Sequence, residues 1–251
     1  MISLDFRLRN EGAKSKPPFV FIHGAMGSKL TWLPLSRHLA GLCPEREGYL
    51  LDLPGHGDSP GKSADCVCDY AQVVLEFLDE HSIEKAVLVG HSMGGAIAQQ
   101  LALDVPERVA SLVLVCTGAK IKVADAIFMG LQGAYDQTIE AIRFIGFHES
   151  APEKMRALTI EQMRPVGPQV GTDDFTACAG FDVREQLPNL RIPALVCVGE
   201  ADQMISVSTN RKLAELLDTD LKIINKAGHM LPVERPEELA AEIHKFIEAG
   251  L

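Results

Sequence analysis

Three side chains far apart in the 251-residue chain have the types that nucleophilic hydrolysis needs: Ser92, Asp202 and His229. Ser92 stands in Gly90-His91-Ser92-Met93-Gly94, where the apolar run Ala86-Val87-Leu88-Val89 gives way to the small residues Gly94-Gly95-Ala96. A serine hydroxyl is a weak nucleophile near neutrality, so it needs a base within hydrogen-bond reach and a third group to orient that base. Glycines at 90 and 94 suit a strand that turns straight into a helix, because neighbouring backbone then passes too close for side chains. Such a turn lifts the hydroxyl clear of the sheet. The next N–H, that of Met93, then faces the place where a tetrahedral oxyanion forms, and the helix N-terminus adds a favourable field.

The elements that must position these groups are short apolar runs alternating with amphipathic stretches. FVFIHG, GYLLDLPG, AVLVGHS, SLVLVCTG, ALVCVGE and LKIINKAGH read as strands buried on both faces. TWLPLSRHLA, DYAQVVLEFLDEH, GGAIAQQLALDVP, STNRKLAELL and PEELAAEIHKFIEA read as the helices between them. This is the pattern of an α/β protein with a mostly parallel open sheet. The N-terminal ISLDFRLRN alternates with period two, as an edge strand or a small antiparallel pair does. Residues 119–186 break the rhythm with helical patterns only, which predicts an inserted helical cap on a core formed by 1–118 and 187–251. In a parallel sheet reactive groups gather beyond the carboxyl ends of the strands. Ser92 follows AVLVG, Asp202 follows ALVCVGEA and His229 follows LKIINKAG.

In that order the blocks FIHGAMGSKLTW, LDLPGHGDS, LVGHSMGGAIA, VCVGEADQM and NKAGHMLPVERPEEL resemble the α/β-hydrolase fold superfamily over nearly the full length. The branch they resemble is the cap-bearing one with carboxylesterases, C–C bond hydrolases and cofactor-free perhydrolases. The resemblance implies an α/β-hydrolase fold, a catalytic triad of Ser92, Asp202 and His229, and a second oxyanion donor at the backbone N–H of Ala25, beside Met93. One such donor is worth about 3–4 kcal/mol of barrier. Relatives that use an aspartate nucleophile are set apart by the serine at position 92, which implies an acyl-enzyme route.

Other residues compete for roles. Glu200 is the nearest rival to Asp202. His23 and His91 flank the reactive loops, where packing and backbone support are the ordinary uses of histidine. His56 suits a turn, and His38, His81, His148 and His244 suit solvated helix positions. Trp32 anchors a first helix or lines a substrate site, and Phe128, Tyr135 and Phe144 are further candidates for that lining. The apolar cap residues also include Met129, Leu131, Ile142, Ile145, Met155, Met163 and Phe175, more than half of which belong to core packing. Arg143, Arg156 and Arg164 could meet a substrate carboxylate, although solvated helix positions suit them too.

A formal charge of −10 without a dense basic stretch gives no reason to approach nucleic acid or an anionic membrane. No apolar segment reaches the ~20 residues needed to cross a bilayer. Cys43, Cys66, Cys68, Cys116, Cys178 and Cys197 read as free thiols in a chain with no secretory leader, which favours the cytoplasm. No metal-ligand cluster, P-loop or dinucleotide fingerprint occurs, so neither metal nor cofactor is expected. The expected partner is a small-molecule acyl substrate, an ester or thioester that is mainly apolar. The alternatives are a C–C bond hydrolase of a ring-cleavage dienol and a non-catalytic ligand-binding relative. Oligomeric state is not written in these residues.

Overall fold

A computed structural model describes residues 3–250; Met1, Ile2 and Leu251, the outermost residues of the expected core and edge strand, lie outside the described residues. Among the described residues seven strands form one sheet: β1 (Phe6–Lys14), β2 (Phe19–Ile22), β3 (Arg46–Leu51), β4 (Ala86–His91), β5 (Val109–Val115), β6 (Ala194–Gly199) and β7 (Leu221–Ile224). Their order is β1-β3-β2-β4-β5-β6-β7. β1 runs antiparallel on the edge and the other pairs are parallel.

Strand alternation sorts the core into two layers. Val20, Ile22, Leu88, Leu112, Leu114 and Val196 pack on one face, with α2 (Val67–Glu80), α3 (Met93–Asp104) and part of α8 (Val207–Leu216). Phe19, Phe21, Val87, Val89, Val113, Val115 and Cys197 pack on the other, with α1 (Leu33–Leu42) and α10 (Pro236–Glu248). Both faces are apolar because both are covered, which is why these strands read as continuous apolar runs.

Between β5 and β6 the chain forms α4 (Asp125–Gly133), α5 (Tyr135–Gly146), α6 (Glu153–Met163) and α7 (Gly167–Gly180). These helices build a third cluster around Leu131, Ile139, Ile142, Ile160, Met163 and Phe175. Lys120 and Asp182 close the segment at its neck by a β-bridge and an ion pair at 3.0 Å. A short helix, α9 (Leu231–Glu234), follows β7. Among the described residues no helix is long and apolar enough to cross a membrane.

The expectation of six free thiols needs correction. Cys66 and Cys68 are joined, while Cys43, Cys116, Cys178 and Cys197 are free and buried. Cys66 is extended at the N-cap of α2, which leaves the two Cα atoms 5.3 Å apart, within bridging range.

Candidate active site

Ser92 sits between β4 and α3 with φ +52°, ψ −117°. A non-glycine residue there is strained, and the surroundings leave no relaxed alternative. A Cβ on Gly90 would lie 2.3 Å from the Gly94 carbonyl oxygen, and one on Gly94 would lie 2.0 Å from the Ile22 carbonyl oxygen. The turn is pinned by Ser92 N donating to Val115 O and by the Thr117 hydroxyl donating to Ser92 O. The Ser92 hydroxyl makes no hydrogen bond among the described residues and faces a cavity that His229 also lines.

The candidate base and acid are joined directly. His229 Nδ1 lies 2.9 Å from Asp202 Oδ2, and both residues are buried. Asp202 Oδ1 accepts the N–H groups of Met204 and Ile205. Burial pushes the Asp202 carboxyl up, but the His229 ring and those two N–H donors outweigh it and hold the group below the usual carboxylate range. The two loops meet because Gly199 has no side chain: a Cβ there would stand 2.3 Å from Gly228 O. Glu234 secures the histidine loop by accepting Gly228 N and His148 N, a role sequence reasoning missed. Glu200, the rival acid, instead accepts the N–H of Lys226.

His23 and His91 hold backbone. His23 Nε2 accepts Leu53 N while its Nδ1 donates to Gly24 O, and His91 Nε2 donates to His229 O at 2.8 Å. Burial, reinforced by His56 beside the first ring and His229 beside the second, pulls both down to about 3. The loop after β2 places Ala25 at the cavity wall. Met26 N donates to Asp174 and Gly27 N to Gly24 O, whereas the N–H groups of Ala25 and Met93 carry no partner among the described residues.

The cavity offers a narrow interior of about 50 Å³. Thr31, Ile142, Phe147, Ile160, Met163 and Phe175 are among its walls, and no lysine or arginine among the described residues lines it. The four aromatic candidates for substrate lining are therefore corrected. Trp32 is fully buried against Phe21 and its ring meets His91 edge-on, one layer behind the cavity. Phe128 packs on the helical cluster, and Tyr135 spends its hydroxyl on Arg164 O and Gly167 N. Phe144 points outward and is 77% exposed.

The arginines of the inserted helices are engaged elsewhere: Arg143 with Glu140 and Glu153, Arg164 with Asp136 and Glu140, and Arg156 with the carbonyls of His148, Glu149 and Ala151. Among the other histidines, His81 stacks on Phe77 and His244 meets Cys43. His56 does hold its turn, through Pro54 O, and also reaches Asp174. Asp174 was missed; its signal is an acid on the same helical face as Gly171, Phe175 and Cys178, all buried.

Ligand atoms of His91, Cys116 and His229 lie within 4.8 Å of one another. His91 Nε2 and His229 Nδ1 are already committed, and burial keeps the Cys116 thiol protonated, so the set fits a hydrogen-bonded core better than a metal. Asp5, Asp52 and Asp58 also converge, but around the ammonium of Lys29.

This sheet, with a strained serine at the β4 turn and an acid and a histidine after β6 and β7, defines the α/β-hydrolase architecture. The model of the alpha/beta hydrolase family matches residues 19–242, and the chain belongs to that family. It is 29% identical to the pimeloyl-[acyl-carrier protein] methyl ester esterase of Pectobacterium carotovorum, over 96% of this chain and 98% of that one. It is 31% identical to the dihydrolipoyllysine-residue acetyltransferase component of the acetoin cleaving system of Pseudomonas putida; the match covers 96% of this chain but spans 65% of that protein. The solved structure of a thermophilic esterase superposes with a TM-score of 0.83 at 26% identity, covering 98% of each chain.

Proposed function

We propose that this chain is a serine hydrolase that cleaves an ester or thioester of a small to medium, mainly apolar acyl group. The observation that carries the reading is convergence on one cavity of Ser92, His229 backed by Asp202, and the Ala25 loop, with the N–H of Ala25 and that of Met93, next to Ser92, free of partners among the described residues. Ser92 Oγ attacks the carbonyl carbon as His229 Nε2 takes its proton, and the oxyanion forms against Ala25 and Met93. Collapse expels the alcohol or thiol with the proton from His229. A water deprotonated by His229 then attacks the acyl-enzyme and the acid leaves. Asp202 keeps the imidazole oriented and stabilises its protonated form. The α4–α7 segment acts as the cap whose side chains select the acyl group. The esterase relatives agree with this chemistry. A mainly apolar cavity that no lysine or arginine among the described residues lines favours neutral acyl groups over the carboxylate-bearing dienols of C–C bond hydrolases.

The test is turnover of p-nitrophenyl esters of increasing acyl length beside a ring-cleavage dienol, with fluorophosphonate labelling mapped by mass spectrometry. Ser92→Ala should lower kcat by about 10⁴-fold or more and abolish the label. A folded Ser92→Ala variant with wild-type turnover overturns the reading. A folded wild type that neither labels nor turns over favours a ligand-binding role instead.

A further inference from the structure

The turn that carries Ala25 is gripped from α7. Gly27 N donates to Gly24 O at 3.0 Å, and the third residue of this turn, Met26, has φ +56°. Turns of this kind ordinarily place glycine or asparagine there, because other side chains adopt the left-handed region at a cost. Met26 is nevertheless held at both ends. Its N–H donates to Asp174 Oδ2 at 2.7 Å, and its side chain is fully buried among Leu131, Ile139, Ile160 and Phe175. Gly171 on α7 makes room for it: a Cβ there would stand 3.0 Å from Met26 Sδ.

Asp174 is itself fully buried and fully engaged. Oδ2 also takes His56 Nε2 at 2.8 Å, and Oδ1 takes the Tyr70 hydroxyl at 2.6 Å. His56 Nδ1 faces Pro54 O at 3.1 Å, so both ring nitrogens point at acceptors and the ring is a cation paired with the carboxylate. Burial pulls the His56 ring down, but Asp174 outweighs it and holds the ring above its ordinary value. A buried pair of this kind is weak evidence for stability, since apolar replacements are often as stable. Its geometric consequence is specific: the peptide that joins Ala25 to Met26 flips when such a turn relaxes to negative φ, and the carboxylate holds the N–H that would move.

We propose that Asp174, which belongs to the inserted helices and not to the sheet domain, is a positioning residue for the oxyanion hole. By fixing Met26 it aims the Ala25 N–H, on the adjacent peptide, into the cavity. This rests on the serine-hydrolase reading above. Losing a donor outright costs 10²- to 10³-fold, so a donor left in place but loosened should cost about 10- to 100-fold in kcat.

The experiment compares Asp174→Ala, Asp174→Asn and Tyr70→Phe for short-chain ester turnover and for amide exchange at Met26 by NMR. Asp174→Ala should lower kcat about 10- to 100-fold with KM within about threefold, and should speed Met26 exchange. Asp174→Asn keeps an oxygen for Met26 and should recover at least about tenfold of the loss. Tyr70→Phe removes one bond to the same carboxylate without touching the turn, and should leave kcat within about threefold. Met26 exchange unchanged in Asp174→Ala, a kcat unchanged despite faster exchange, or an equal loss in Tyr70→Phe each overturns the proposal. Failure of the serine reading shows separately, as turnover that survives Ser92→Ala, while Met26 exchange reports the grip on the turn without reference to catalysis.

Discussion

The strand-end loops and the α4–α7 helices face each other across one cavity, yet they are held in place by different forces. On the sheet side, backbone lies against backbone: Gly90, Gly94 and Gly199 each stand where a Cβ would come within 2.3 Å or less of a carbonyl oxygen. On the helical side, Gly133 and Gly180 have nothing within 4 Å, and contact runs through side chains such as Leu131, Ile160 and Phe175. A close backbone approach admits one geometry, whereas side-chain packing admits repacking at modest cost. The candidate catalytic residues sit on the first kind of support and most of the cavity wall on the second. Hydrogen bonds cross between the two sides at Asp174, which holds Met26 N, and at the end of α5, where Met230 N donates to Gly146 O and His148 N to Glu234.

The largest effect that tests this contrast is Gly94→Ala, whose Cβ would lie 2.0 Å from Ile22 O and 2.6 Å from His23 O. Backbone must move, so the variant should lose about 3–5 kcal/mol of stability and all fluorophosphonate labelling. Gly133→Ala, at the end of α4, should stay within about 1 kcal/mol of wild type by urea unfolding. Equal losses in the two variants would break the contrast.

The same difference explains what could be read from the chain alone. Ser92, Asp202, His229 and the loops of Ala25 and Met93 fall at strand ends, where glycine spacing and strand order together dictate position; Ser92, His229 and Ala25 line one cavity, Asp202 bonds His229, and Met93 follows Ser92 at the start of α3. The inserted segment was legible as helices but not as a surface. Ile142, Met163 and Phe175 reach the cavity, while Phe144, an equally apolar residue of the same helix as Ile142, faces solvent. A period of 3.6 residues shows that a helix has an apolar face, not which neighbour that face meets. Trp32 was ambiguous for a related reason: burial against Phe21 and lining of a cavity one layer away ask for the same side chain. The Cys66–Cys68 bridge escaped because a disulfide needs the two Cα atoms within bridging range and the side chains facing, and spacing alone does not reveal the local backbone that supplies this.

A second, smaller effect separates the two supports by pH. His23 and His91, which brace the sheet-side loops, are held down to about 3 by burial, so below the ordinary histidine value the unfolded chain takes up protons that the native state refuses. Stability should therefore fall as pH drops below about 6.5, by at most about 1.4 kcal/mol per pH unit for each ring. His56, which faces Asp174, Asp52, His23 and Tyr70, is held above its ordinary value, so the sign reverses. Its contribution is fully present below about 6.5 and is lost as pH rises through its folded value. Urea unfolding from pH 5 to 8 should give a stability maximum between these limbs, and His56→Asn should flatten only the alkaline one. A wild-type profile that is flat across this range would remove the charge difference between the two regions.

The smallest effect concerns selectivity, and it asks whether the helical wall can be changed without disturbing the chemistry. Ile160 lies on α6, lines the cavity and packs on Met163 and Phe175, but it touches none of the sheet-side loops through a hydrogen bond. Its truncation to alanine should widen a narrow cavity of about 50 Å³ toward longer acyl chains. Each methylene accommodated in an apolar pocket is worth about 1–3 kcal/mol, so the ratio of kcat/KM for p-nitrophenyl octanoate over acetate should rise about tenfold in Ile160→Ala. The kcat for acetate should stay within about threefold, because the Ser92 and His229 loops rest on contacts the substitution leaves intact, and the Ala25 turn, though Met26 loses packing on Ile160, keeps its bond to Asp174. If acetate turnover fell in step with the change in chain-length preference, the wall and the candidate catalytic residues would be one mechanical unit, joined by more than the hydrogen bonds at Asp174, Gly146 and His148.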